Sequence, residues 1–450
     1  MQFKQYPSYK NSGVEWLGEV PEHWTVLKNR HIFNFSKGLS ITKENLQESG
    51  IPCVSYGEVH SKFGFEFNPE INDLKFVSEE YLKTSKNCLL NSGDFIFADT
   101  SEDFEGSGNF SYLNSKSQVF AGYHTVIARL KFSHNPRFFA YVFDSNAHRK
   151  QIQTQVKGIK VFSITQGILK DIYSWLPPID EQQKIVLFLD TETARIDNLI
   201  SKQEKLIELL EEQRKSIISH AVTKGLNPNA PMKDSGVEWL GKVPNDWNFS
   251  RLDAVSKIVR GNSAFSKMDL LESGKYVALQ YGKTYKVNEI NESFGSYVNQ
   301  DFFKKSQLTE FGDIILISTS ETLEDLGHSC FYARHDIGLI GGEQFLLKPK
   351  NQNFGKYIYY ATKAFSSYLQ RYATGLKVFR FNLDDLKKIY IPDISLVEQQ
   401  KIAEFLDKET ARIDISVLKQ KSLIEKLKEY RASIISHAVT GKIDVREFGA

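Results

Sequence analysis

EQQKIVLFLDTETARIDNLISKQEKLIELLEEQRKSIISHAVTKGL, residues 181–226, returns at residues 398–443 as EQQKIAEFLDKETARIDISVLKQKSLIEKLKEYRASIISHAVTGKI. At a fixed offset of 217 residues the copies share 30 identities in 46 positions, so the chain is built on an internal repeat. Each copy reads as one long helix. Ile185, Leu189, Ile196, Leu199, Leu206, Leu210 and Ile217 recur at helical spacing, and Ile402, Leu406, Ile413, Leu423, Leu427 and Ile434 do so in the second copy. No Pro or Gly interrupts either run; Gly225 and Pro228 close the first helix, and Gly441 closes the second. About 40 residues at 1.5 Å each make a rod of roughly 60 Å. Its apolar stripe needs a partner, and the other copy is the nearest one, as a coiled coil. Ile196, Gln203, Leu206, Leu210, Ile217, Ile413, Gln420, Leu423, Leu427 and Ile434 are the residues expected for helix pairing or partner docking. Gln203 and Gln420 interrupt the two stripes at equivalent places, either as tolerated polar residues or as a register lock.

Outside the helices the repeat continues. SGVEWLGEVPEHW at 12–24 matches SGVEWLGKVPNDW at 235–247 in ten of thirteen positions. The intervening interiors have diverged, with three faint echoes: Tyr56-Gly-Glu against Tyr281-Gly-Lys, SGDFIFADTSE at 92–102 against FGDIILISTSE at 311–321, and GIKVF at 158–162 against GLKVF at 375–379. The plan is variable domain, shared helix, variable domain, shared helix. Connectivity predicts an antiparallel helix pair, with the chain end at Ala450 near the start of the first domain. The interiors read as α+β. Short strands are expected from Phe95, Thr125, Asp313 and Gln344, and helices over 137–155 and 356–373, with their aromatic residues in the core.

Composition narrows the function. The chain has 450 residues, 57 Lys plus Arg against 55 Asp plus Glu, and a formal net charge of +2, which taken alone does not suggest a nucleic-acid binder. Cys53, Cys88 and Cys330 are scattered and odd in number, which excludes a disulfide framework and a four-thiolate zinc site and fits a reducing cytosol. No stretch resembles a signal peptide or a membrane span. Phosphate-loop, HExxH, paired CxxC and GxSxG signatures are absent.

DFEGSGN at 103–109 resembles the glycine-rich methyl-donor loop of amino-methyltransferases. However, no [DN]PP[YFW] motif accompanies it, and the equivalent ETLEDLG at 321–327 lacks the glycines, so a flexible loop is expected. His220 and His437 read as surface histidines near helix ends. Glu102, Asp103 and Glu105, with Glu321, Glu324 and Asp325, read either as solvated loop faces or as acceptors for cytosine amino groups. Lys160 and Lys377 each follow a glycine by two residues at the same place in both halves, which suits a phosphate or base-edge contact as well as a solvated surface. Tyr56, Lys157, Tyr281, Lys283 and Arg380 complete the candidate DNA-contacting set.

The SGVEWLG…VP..W opening, the G.KVF segment, the EQQKI..FLD.ETARID helix start and SIISHAVTGKID together resemble type I restriction–modification specificity subunits over the whole chain. The resemblance implies a cytoplasmic, non-catalytic subunit with two target recognition domains, each reading one half of a split DNA sequence. They would be separated by two long antiparallel coiled-coil helices in a pseudo-two-fold repeat. The expected boundaries are 1–180, 181–226, 227–397 and 398–450. The implied partners are double-stranded DNA, two N6-adenine methyltransferase subunits and two restriction/translocase subunits. No cofactor is expected on this chain; S-adenosylmethionine, ATP and Mg belong on the partners.

The residues argue in the same direction. Two near-identical frames should dock one partner twice, and two divergent interiors should read different things. A DNA reader held at two points resembles a dimeric repressor, whose half-sites lie about 34 Å apart. Segment 181–226 has seven basic and eight acidic residues and segment 398–443 nine and seven, so the helices suit protein docking better than DNA tracking. Inserting four residues in both helices is expected to lengthen the unread spacer in the target. The competing readings are a coiled-coil scaffold whose end domains bind proteins, and a self-sufficient methyltransferase.

Overall fold

The computed structural model describes residues 4–158, 160–350 and 355–449. It divides into two compact units, Met1–Lys202 with Leu423–Ala450, and Gln203–Ser422. Both repeat copies are single helices, Ile179–Lys224 and Leu396–Val439, and the division falls inside each of them.

In the first unit a five-stranded sheet runs Phe33–Lys37, Thr125–Leu130, Phe95–Ala98, Phe110–Leu113, Phe65–Phe67. It is antiparallel except where Phe110–Leu113 meets Phe65–Phe67. A four-stranded sheet of Lys75–Val77, Ile51–Val54, Val119–Ala121 and Leu89–Leu90 accompanies it. The second unit repeats both sheets in the same order. Its five-stranded sheet runs Ser256–Arg260, Gln344–Pro349, Ile314–Ile317, Ser329–Tyr332, Glu289–Ile290; its four-stranded sheet runs Tyr297–Val298, Tyr276–Leu279, Gly338–Ile340, Leu308–Thr309. The α+β reading holds, as do the four expected strands. Their residues, fully buried on both faces at Phe95–Ala98 and Ile314–Ile317, explain the continuous apolar runs.

The expected helix over 137–155 is two helices, Pro136–Asp144 and Asn146–Gln153. They break at Ser145, whose extended backbone (ψ 145°) cannot continue a helix and whose side chain bonds back to the Val142 carbonyl. The expected helix over 356–373 runs Gly355–Leu369 and tightens into a 3₁₀ turn at Gln370–Tyr372. Phe138, Phe139, Tyr141 and Phe143 are buried in the core, as are Tyr357, Tyr359, Tyr360 and Phe365.

Within each unit the two long-helix stretches run antiparallel. In the first, Arg431 pairs with Asp197 at 3.0 Å, and Ile196, Ile434 and Ile435 share one core with Leu427 against it. In the second, Arg214 pairs with Asp414, and Ile218, Ile402 and Leu406 share a core with Ile217 against it. The expectation for Ala450 lies outside the described residues. Nearby, Lys4 pairs with Asp444 in a β-bridge and with Glu447 at 2.7 Å.

As a helix-pairing seam, the stripe needs a correction at Leu206 and Leu423. Ile413, Val417 and Ile424 are buried, with Gln420 and Leu427 half-buried between and beyond them, a spacing of four, three, four and three residues. Gln203 and Leu210 hold the matching places in the first helix and are also half-buried. Leu206 and Leu423 are 38% and 41% exposed. Each stands one residue before Ile207 and Ile424, which rotates it about 100° off the buried face at 3.6 residues per turn. Leu206→Ser and Leu423→Ser should therefore change stability by less than about 0.5 kcal/mol, whereas Ile413→Ala should cost roughly 2–5 kcal/mol. Denaturant midpoints of the three variants provide the check.

Candidate nucleic-acid interface

The shared motifs build the frame that holds the variable loops. Trp24 is fully buried, and its Nε1 donates to Glu181 Oε1 at 2.8 Å, so the end of the first motif grips the first residue of the helix repeat. Tyr6 donates to the same oxygen, and His23 Nε2 lies 2.8 Å from Oε2. In the second unit Trp247 Nε1 donates to Glu398 Oε1 at 3.2 Å. The helix-ending glycines complete the arrangement. Gly441 and Gly225 both adopt φ +70°, and a Cβ on either would press on Trp24 at 3.2 Å or on Trp247 at 3.0 Å. Asp190 and Asp407 of the repeat accept hydrogen bonds from Tyr141 and Tyr360 of the variable domains, at 2.6 and 2.5 Å.

On this frame the first unit gathers a set of exposed loops. Thr100–Ser101 pairs antiparallel with Phe162–Ser163, which lays the GIKVF turn beside the acidic loop that follows the buried strand Phe95–Ala98. Ile164 N donates to the Asp99 carbonyl at 2.8 Å. The Asp99 carboxylate holds His124 Nδ1 at 3.1 Å, and the His124 ring packs 5.6 Å from Tyr56, which also contacts Tyr123 at 5.7 Å. Tyr56 is thus joined to the turn through His124 and Asp99. Lys157 and Lys160 are exposed there, without an ion pair among the described residues.

In the second unit Thr319–Ser320 pairs with Phe379–Arg380. Ser320 faces the Tyr281 hydroxyl, Tyr285 stacks on Tyr281 at 5.6 Å, and burial raises the Tyr281 pKa. Tyr281, Arg380 and the turn carrying Lys377 are therefore neighbours, with Lys283 exposed on the same short helix as Tyr281. The acidic residues Glu102, Asp103, Glu105, Glu321, Glu324 and Asp325 are all exposed.

Two residues at these sites escaped the sequence reading. His124 and Glu343 occupy the same place, just before the strands Thr125–Leu130 and Gln344–Pro349, and both have left-handed backbones, φ +55° and +62°. Strained non-glycine residues of this kind gather at functional sites. The available signal was the glycine that follows a buried strand, Gly122 and Gly341, which marks a tight turn.

The glycine-rich 103–109 loop is closed on itself rather than shaped as a phosphate cradle. A Cβ on Gly106 would meet Ser101 Oγ at 2.7 Å and His60 Cε1 at 2.8 Å, and one on Gly108 would meet Ile152 at 2.9 Å. Asn109 Nδ2 lies 3.2 Å from His60 Nδ1, and the Ser101 hydroxyl donates to the Asp103 carbonyl at 2.7 Å. The glycines serve close packing. Among the described residues no group of three or more His, Cys, Asp or Glu side chains is placed to hold a metal, and no helix is long and apolar enough to cross a membrane.

Known proteins have a similar fold or sequence. A chain from a structure of complex assembly and conformational transition in a type I R-M system superposes with a TM-score of 0.70 at 15% identity, over 93% of this chain and 98% of that one. The HsdS subunit from Thermoanaerobacter tengcongensis gives 0.54 at 16% identity, over 94% and 98%. In sequence, the putative type I restriction enzyme MjaX specificity subunit of Methanocaldococcus jannaschii is 27% identical over 458 residues, 99% of each chain. The MjaVIII specificity subunit of the same organism is 23% identical over 465 residues, 99% of this chain and 98% of that one. The family model for the type I restriction modification DNA specificity domain matches twice, at residues 21–209 and 244–426. Since those two matches cover well over half its length, the chain belongs to the type I restriction–modification DNA specificity family.

Proposed function

We propose that each unit reads one half of a bipartite, asymmetric DNA target, and that the chain itself contributes recognition but no catalytic group. One observation carries this reading. The same two sheets and the same tryptophan–glutamate grip are built twice, while the loop residues mounted on them differ: His60, Asp99 and His124 in one unit, Tyr285, Ser318 and Glu343 at the matching places in the other. A repeated scaffold with different loop side chains reads two different sequences, because base edges are discriminated by donor and acceptor placement.

The partners in this reading are double-stranded DNA, two methyltransferase subunits and two restriction/translocase subunits. Methyl donor, ATP and Mg sit on the partner subunits. The near-identical helix copies support two equal docking surfaces, and their balanced charge suits protein contacts. A genome-wide map of methylated adenines, with the gene present and deleted, tests the reading. Loss of one bipartite methylated motif on deletion is the expected result. An unchanged map would leave the scaffold reading in its place, and methyl transfer by the chain alone would overturn the recognition-only role.

Lys377 sits at the tip of its turn and is read as a phosphate contact. Lys377→Ala should weaken DNA binding by a similar factor on every sequence and reduce the slope of log affinity against log salt by about one. Binding titrations at several salt concentrations measure both effects.

A further inference from the structure

The two variable domains have diverged almost everywhere, and burial accounts for one of the echoes that survive. The strands Phe95–Ala98 and Ile314–Ile317 are fully buried, so packing alone restricts them. Burial cannot account for GIKVF and GLKVF. Leu376 is 98% exposed, Val378 37% and Val161 52%, and Lys160 and Lys377 are exposed beside them. An apolar side chain held almost wholly in water gains nothing for the fold. In sequence an aliphatic residue precedes the lysine in both halves, Ile159 and Leu376, which points to a contact that both halves make, and therefore to a feature of DNA common to two different half-sites.

The backbone closes the turn tightly. Gly375 has φ +110°, and a Cβ there would lie 2.0 Å from the Val378 carbonyl oxygen; a Cβ on Gly158 would lie equally close to that of Val161. Thr374 and Arg380 exchange backbone hydrogen bonds at 2.9 and 3.0 Å across the base of the turn. Phe379–Arg380 is paired to Thr319–Ser320, and Phe381 N donates to the Ser318 carbonyl at 3.2 Å. Leu376, Lys377 and Val378 thus project from a closed, anchored turn. Arg380 is exposed at its base. In the first unit the position matching Leu376 is Ile159, outside the described residues.

Resting on the DNA-reading function above, we propose that this turn is a wedge, with Leu376 entering the base stack of its half-site while Lys377 and Arg380 hold the flanking phosphates. Aliphatic side chains that enter between base steps unstack them and bend the duplex, and the phosphates on either side supply the compensating contacts. Such a contact depends on base-step stacking rather than on base identity, so one turn serves two half-sites of different sequence.

The test uses the chain in complex with methyltransferase subunits, without methyl donor, on duplexes carrying its genomic target. 2-Aminopurine replaces one purine at a time, away from the methylated adenine, in the half-site read by the second unit. At one step its fluorescence should rise roughly threefold on binding as that step unstacks. Leu376→Ser should abolish the rise and weaken binding by about tenfold, whereas Leu376→Met, which keeps the apolar reach, should preserve it. A rise that survives Leu376→Ser, or a bound duplex in which no step responds, overturns the wedge and leaves sequence recognition standing. A wild-type complex that does not distinguish the target from other duplexes overturns the recognition reading beneath it. Because Leu376 is so exposed, neither substitution is expected to disturb folding.

Discussion

Trp24→Ala is expected to cost about 3–5 kcal/mol of stability, from the lost burial of a large aromatic and the cavity it leaves. Trp24 is fully buried among Tyr6, Pro21 and Gly441, in the core formed by the first strands and the end of the second long helix. The substitution also removes one of the donors to Glu181, a carboxylate only 4% exposed, which makes the loss larger than packing alone implies. Trp24→Phe should recover most of the packing but not the hydrogen bond. The difference between the wild type and Trp24→Phe therefore reports mainly the bond, at about 1.5–3 kcal/mol for a charged acceptor, and the difference between the two variants reports the packing. Thermal melts followed by near-UV circular dichroism, which reports the tryptophans, should show an early transition in Trp24→Ala. An unchanged melt would mean that the grip between the two shared motifs is not what holds this end of the chain together. The equivalent Trp247→Ala should be milder in its hydrogen-bond part, because its bond to Glu398 is longer and, among the described residues, no tyrosine or histidine hydrogen-bonds to that carboxylate.

Exchanging residues 30–175 for the first variable domain of a family member that reads different DNA should replace one half of the methylated sequence and leave the other intact. Each mismatched base pair costs roughly 1–3 kcal/mol. A half-site with three changed pairs is therefore disfavoured by about two orders of magnitude at the least, using 1.4 kcal/mol per tenfold. The exchanged segment carries Tyr56, His60, Asp99, His124 and the GIKVF turn together, and leaves Trp24, Glu181 and the helices untouched. The frame is thus the same in donor and recipient, and the change in sequence reports the loops. Sequencing of methylated adenines reads the outcome directly. A map in which both halves change, or neither, would place recognition elsewhere.

The residues of the two sites differ in how legible they were. Tyr56, Tyr281, Lys160, Lys377 and Arg380 were visible because each recurs in, or beside, a short echo between the halves. Tertiary pairing of Thr100–Ser101 with Phe162–Ser163 and of Thr319–Ser320 with Phe379–Arg380 then brought those echoes together. His124 and Glu343 were not visible, since a histidine in one half and a glutamate in the other leave no repeat to find. Their place just before matching strands and their shared left-handed backbone mark them as the same position. Leu206 and Leu423 show the opposite failure. A leucine on an apolar helix reads as seam, yet a one-residue offset turns it to solvent, and hydrophobicity alone cannot separate neighbouring registers.

The sequence by itself determined that the chain is a duplicated frame with two long helices, that its interiors mix strands and helices, and which family it resembles. Those conclusions rest on identity, periodicity and the absence of helix breakers, all of which are local or repetitive. Only the tertiary structure decided the rest: that the SGVEWLG…VP..W motif exists to seat a tryptophan on the first glutamate of the helix, that the FLD aspartate anchors a tyrosine of the variable domain, and that an acidic loop and a lysine turn some 60 residues apart form one exposed surface. These are contacts between segments far apart in the chain. Nothing in either partner's own sequence names the other, because burial and hydrogen-bond satisfaction are properties of the packed pair.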